Sequence, residues 1–166
     1  AETIGRFHRG FKREVDDIWP TIGQILVDET RPVWFCGHSL GGAMAQICAA
    51  RCTSSEIVAN PQEVVTFGSP RVGTKRYVQN AKLKHLRWVN NNDIVTRVPP
   101  QWLRYRHVGT HMYIDRNGKI ARLTPAQRGR DRWAGFVDGV KRRRFDHFSD
   151  HAAAAYVTHI RRAARP

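Results

Sequence analysis

A serine stands between glycines in Gly37-His38-Ser39-Leu40-Gly41, with Gly42 directly after. Serine is a weak nucleophile until a base takes its proton, and that base must be oriented by a buried acid. Such a set performs acyl transfer, attacking a carbonyl and releasing the acyl group to water. Asp93 is the favoured acid, with Asp115 and Asp131 as alternatives, one in a predicted hairpin and one in an Arg-rich stretch. Eight histidines compete for the base. In the order serine, acid, histidine, those late enough are His111, His147, His151 and His159. His111 lies at a predicted strand start, whereas His147 lies in a turn before the last helix. His151 is the alternative to His147.

The elements that must position these groups can be read from periodicity. Phe11, Val15, Ile18, Ile22, Ile25 and Leu26 recur at three and four residues, so 11–28 reads as an amphipathic helix that Pro20 kinks or divides. Val33-Trp34-Phe35-Cys36 is continuously apolar and reads as a strand buried on both faces. Gly37 to Gly42 form a tight turn, and Ala43 to Arg51 follow as a helix. Val64 to Phe67 and Leu86 to Val89 read as further strands, with a helix around 75–80 between them. Strands alternating with helices imply a mostly parallel sheet with helices on both faces. Arg116-Asn117-Gly118 joins two alternating segments as a hairpin. Residues 124 to 145 carry no clear period, and a helix is predicted from Ser149 to about Arg162.

Gly-x-Ser-x-Gly at a strand-to-helix turn is a nucleophile elbow: Gly37, His38 and Gly41 flank Ser39, and the glycines let strand and helix approach. The helix N-terminus offers backbone donors to a developing oxyanion, the Leu40 N–H among them. His38 is expected to point away from the serine. A phosphate-binding loop would need Gly-Lys-Ser/Thr, which does not occur.

The chain resembles the class 3, fungal lipase-like, family of α/β-hydrolases. The resemblance is carried by His8-Arg9-Gly10-Phe11, by Gly37-His38-Ser39-Leu40-Gly41-Gly42-Ala43 and by Thr66-Phe67-Gly68-Ser69-Pro70-Arg71-Val72-Gly73. It continues in the segment Val89-Asn90-Asn91-Asn92-Asp93-Ile94-Val95-Thr96-Arg97-Val98-Pro99-Pro100 and in the shorter Asp146-His147-Phe148-Ser149. It implies a Ser39–Asp93–His147 triad, no cofactor, and esters of acylglycerols or phospholipids as substrates. The alternatives are small feruloyl-type esters on the same scaffold, or a basic anion- or nucleic-acid-binding module with an inactive hydrolase fold. It also implies a single domain over 1–166 that is the later part of the family's fold. The family's N-terminal strands, second oxyanion donor and lid precede the His-x-Gly-Phe motif, which here begins at residue 8. Either the chain is a fragment of a longer protein, or a partner or swapped subunit supplies the missing piece, or the chain is inactive; the expectation for the chain by itself is a weak esterase.

Composition excludes several other classes. With 41% hydrophobic residues and five Trp, the 166-residue chain can bury a core, so it is not a disordered segment. No apolar run reaches the ~18 residues of a membrane span, and the first residues lack the apolar core of a signal peptide. Three cysteines, Cys36, Cys48 and Cys52, make no disulfide framework. Asp146, His147, Asp150 and His151 pair at i, i+4 in a way that could hold a metal, but a helix-capping Asp explains the cluster, and no metal is expected. The net charge is +14. It points to an anionic partner, and its concentration at Lys141 to Arg144 favours an anionic membrane surface over nucleic acid, for which no recognised motif occurs.

Overall fold

The computed structural model describes residues 6–55, 57–80, 83–141 and 150–164. In chain order the elements are α1 (Arg9–Leu26), β1 (Val33–His38), α2 (Leu40–Ser54), β2 (Pro61–Phe67), β3 (Gly73–Thr74), α3 (Lys75–Asn80), β4 (His85–Asn90), β5 (Tyr105–Arg106), β6 (Thr110–Ile114), β7 (Ile120–Ala121), α4 (Pro125–Lys141) and α5 (Ala153–Ala163). Two short 3-10 turns, Val95–Arg97 and Gln101–Leu103, lie between β4 and β5.

The main sheet has the order β1-β2-β4-β6-β7, parallel across its first four strands, with β7 antiparallel on β6. β3 and β5 form a separate antiparallel pair, which Phe7 extends by a bridge to Gly73. Phe35 and Val64 are register partners, and they pack on α2 through Ala45 and Ala49. α1 covers α2 in turn, burying Val15 with Ala43, Ile47, Cys48 and Val72. α5 lies on the opposite face, where Tyr156 meets Phe67 edge-on. Helices therefore flank both faces, as the alternation of segments predicts.

Three local expectations are corrected. Pro20 lies inside one unbroken α1 and so does not divide it, and the buried stripe runs through Phe11, Val15, Trp19, Ile22 and Leu26 and leaves Ile18 and Ile25 exposed. β1 is not buried on both faces. Among the described residues it is the edge strand of the sheet, and Trp34 and Cys36 on its second face are exposed. The last helix starts at Ala153 rather than Ser149, with Ala152 at its N-cap. Segment 116–118 does turn the β6–β7 hairpin, with Gly118 at φ +75° and Asp115 Oδ1 accepting from the Asn117 and Lys119 N–H groups.

Candidate active site

β1, β2 and β4 run parallel, so the loops at their carboxyl ends gather at one end of the sheet. Ser39 follows β1, Gly68 follows β2, and Asp93 follows β4. Ser39 sits at φ 56°, ψ −125°, a conformation that L residues avoid and that costs on the order of 1–3 kcal/mol. Its N–H donates to Phe67 O at 2.9 Å, extending the β1–β2 ladder by one rung, while its carbonyl accepts from Gly42 N–H at 3.0 Å and opens α2. The turn is thereby held from both sides.

The glycines serve different purposes. A Cβ on Gly37 would collide with the Gly41 carbonyl, so strand and helix touch backbone to backbone there. A Cβ on Gly42 would lie 2.9 Å from Ser69 Cβ, where Gln46 Nε2 donates to Ser69 Oγ at 2.8 Å and fastens α2 to the β2 exit loop. A Cβ on Gly41 would meet nothing within 4 Å. Close approach requires Gly37 and Gly42, not Gly41.

The Ser39 hydroxyl reaches His151 Nε2 at 2.8 Å, and His151 Nδ1 lies 3.0 Å from both carboxylate oxygens of Asp93. Asp93 accepts only, so His151 carries its proton on Nδ1 and presents a lone pair on Nε2 to the serine. Asp93 is fully buried. Its charge is compensated by hydrogen bonds from Val95 N–H to Oδ1 at 2.9 Å and from Tyr156 O–H to Oδ2 at 2.6 Å. Burial raises the Tyr156 hydroxyl pKa, and the neighbouring Asp93 charge raises it further, so it remains a donor.

The structure thus brings Ser39 and Asp93 together with His151, the alternative to the expected His147. His147 lies outside the described residues, and the position between serine and acid is filled by His151. Two Asp-His pairs stand four residues apart, Asp146-His147 and Asp150-His151, and the second is anchored by the asparagine run before the acid. Asn90 Nδ2 donates to Asp150 O at 3.0 Å, and Asn92 N–H donates to Asp150 Oδ2 at 3.1 Å. Asp150 therefore does not cap α5. His38, read from the sequence only as a flank of the elbow, donates from Nε2 to His151 O at 2.6 Å. Tyr156 was also missed, because a tyrosine in an Ala-rich helix gives no sign of which carboxylate its hydroxyl will meet.

The rival acids are engaged elsewhere. Asp115 holds the hairpin turn, and Asp131 accepts from Tyr113 O–H at 2.8 Å and pairs with Arg116. Of the four residues considered for a metal, Asp150 and His151 make the contacts just described, and 146–147 lie outside the described residues. Among the described residues no cluster of three or more His, Cys, Asp or Glu could hold a metal ion. No described helix is long and apolar enough to cross a membrane. The basic run 142–144 is likewise outside the described residues. Arg128 and Arg132 turn inward, donating to Leu123 O at 2.6 Å and to Asn91 O at 3.3 Å.

The sequence model of the class 3 lipases matches residues 2–102. The lipase of Rhizopus niveus is 33% identical over 120 residues, which are 69% of this chain and 31% of that protein. A chloroplastic phospholipase A(1) of Arabidopsis thaliana, DAD1, is 37% identical over 75 residues, covering 43% of this chain and 17% of its own length. The Rhizomucor miehei lipase in its propeptide complex superposes with a TM-score of 0.61 at 29% identity, over 66% of this chain and 39% of that one. The match to the Rhizopus protein spans about a third of its length. Fold and relatives agree on a mostly parallel α/β-hydrolase sheet, and the chain belongs to the class 3 lipase family.

Proposed function

We propose that the protein is a serine carboxylic-ester hydrolase acting on lipid esters, acylglycerols or phospholipids, through an acyl-enzyme. The observation that carries this reading is the unbroken chain of contacts from Ser39 Oγ through His151 to buried Asp93. Family membership and the named lipase and phospholipase relatives support it.

Ser39 Oγ bonds to the acyl carbonyl carbon while its proton passes to His151 Nε2. Asp93 stabilises the imidazolium through Nδ1–H. The oxyanion is received at the N-terminus of α2, where the first N–H groups have no intrahelical acceptor, with Leu40 N–H as the donor adjacent to the nucleophile. The alcohol departs with the proton from His151. Water, deprotonated by the same imidazole, then cleaves the Ser39 ester. His151 rather than His147 is assigned as the base.

A fluorophosphonate should form a covalent adduct with the parent chain and none with Ser39→Ala. His151→Ala should slow adduct formation and ester hydrolysis about 10⁴-fold or more, while His147→Ala should stay within a few-fold of the parent. A slow His147→Ala beside a fast His151→Ala overturns the assignment. Hydrolysis of feruloyl esters in preference to acylglycerol and phosphatidylcholine emulsions overturns the substrate class.

A further inference from the structure

Directly after Asp93 the chain exposes apolar side chains in close succession. Ile94 and Val98 are 41% and 46% exposed, Leu103 is 55% exposed, and Trp102 is 82% exposed. An indole left this open to water has lost nearly all the benefit of burial, and a run of such residues on one rim marks a contact surface. Ile94 follows Asp93 at the carboxyl end of β4, and Val98 O accepts from Arg71 N–H in the loop after β2, so the segment starts at the end of the sheet that carries Ser39, beside which Leu40 is also 44% exposed.

The backbone that displays these side chains is fixed. Arg71 N–H donates to Val98 O at 2.8 Å, and Arg71 Nη1 donates to Pro99 O at 2.9 Å. Arg106 Nη1 donates to Gln101 O at 2.7 Å, and His107 Nε2 donates to Thr96 O at 2.7 Å. Trp102 is thus held outward by a strapped turn, so little ordering entropy is lost when it docks.

The charge around it has one sign. Arg97, Arg104 and Arg106 are exposed, and no Asp or Glu occurs between Asp93 and Asp115. An amphipathic aromatic tip ringed by arginines matches the boundary between acyl chains and anionic headgroups. A nucleic acid would use the arginines and the indole but would leave Ile94, Val98 and Leu103 without a partner.

We propose that residues 94–106 form the surface that seats the protein on an anionic lipid interface, with Trp102 as the inserted anchor and Arg104 on the headgroups, while Arg97 and Arg106, whose guanidinium groups also hold Asn92 Oδ1 and the Gln101 carbonyl, add positive charge. The proposal rests on the lipid-ester reading and specifies its interface: the surface lies on the rim beside the acid, not on the basic run before residue 147. An interface held there faces the end of the sheet at which Ser39 opens.

The test is co-sedimentation of the full chain, carrying Ser39→Ala so that no lipid is consumed, with phosphatidylcholine vesicles lacking or containing phosphatidylglycerol. Partition should rise steeply with phosphatidylglycerol and fall with salt. Adding Trp102→Ala should lower it about tenfold or more, and Arg104→Gln about fivefold, the share of one arginine near an anionic surface. Ile25→Ala, an exposed apolar site near the far end of α1, should leave it unchanged. Equal partition onto both vesicles, an unaffected Trp102→Ala, or tighter capture by a generic oligonucleotide overturns the proposal. Fluorophosphonate labelling of the parent chain without vesicles tests the hydrolase separately: absent labelling with lipid-selective partition rejects the hydrolase and retains the surface.

Discussion

Gly68 lies where the two halves of the site meet. It sits at φ +61°, and a Cβ there would be 2.6 Å from Asp93 Oδ2 and 3.0 Å from His151 Nδ1. Gly68→Ala therefore combines backbone strain with displacement of the acid–imidazole pair. A shift of about 1 Å at such a pair costs about 100-fold, so kcat/KM on a soluble ester should fall by that order while the chain stays folded by circular dichroism. An unchanged kcat/KM would mean that the Asp93–His151 contact does not set the rate. At this scale, Ser39 is legible in the sequence because its signal is local: the glycines flank it and the strand and helix adjoin it. The histidine beside it is not local. Asp146-His147 and Asp150-His151 are equivalent as dipeptides, and the contacts that hold the second, from Asn90, Asn92 and His38, come from residues remote in sequence.

At the level of elements, the approach of α2 to the sheet decides where Ser39 stands. Gly42 presses on Ser69, while Gly41 faces open space. Gly42→Ala should lower the melting temperature by several degrees and reduce Ser39 labelling, because Ser69 is fully buried and fastened by Gln46. Gly41→Ala should keep or slightly raise the melting temperature, since alanine is the better helix former by about 1 kcal/mol. Equal effects at the two positions would contradict the packing described. The long elements were readable because their periods are long enough to count: α1, α2 and the strands at β2, β4 and β6. β3 and β5, of two residues each, have no period to detect, and they pair only because the chain returns there. α4 was obscured by its arginines, two of which serve as inward donors rather than as a solvated face. β1 was misjudged because an apolar run does not reveal whether a second layer covers it.

Across the whole molecule, the charge is unevenly compensated. The face of the sheet that packs on α2 carries His85, Arg87 and His111; Arg87 is next to His111 in register, and the Nε of Arg87 and Nε2 of His111 are buried without partners. Burial lowers the His85 pKa to about 4, and the nearby Arg87 charge assists. The same two causes lower His111 to about 3 and hold His107 well below its ordinary value. The unfolded chain binds protons on these bases near pH 6.5, and the folded chain refuses them until the pH is much lower. Stability from this source is thus complete above about pH 6.5 and is lost as the pH falls towards 4. For His85, 5% exposed and hydrogen-bonded to Thr66 Oγ1 at 2.9 Å, the loss is at most about 1.4 kcal/mol per pH unit inside that window. Urea midpoints should therefore drop steadily between pH 6.5 and pH 4.5, and His85→Gln should flatten that slope by about one proton's share while lowering stability at pH 7. If the slope is the same in the variant, His85 is not the neutral buried base that the packing of this face requires.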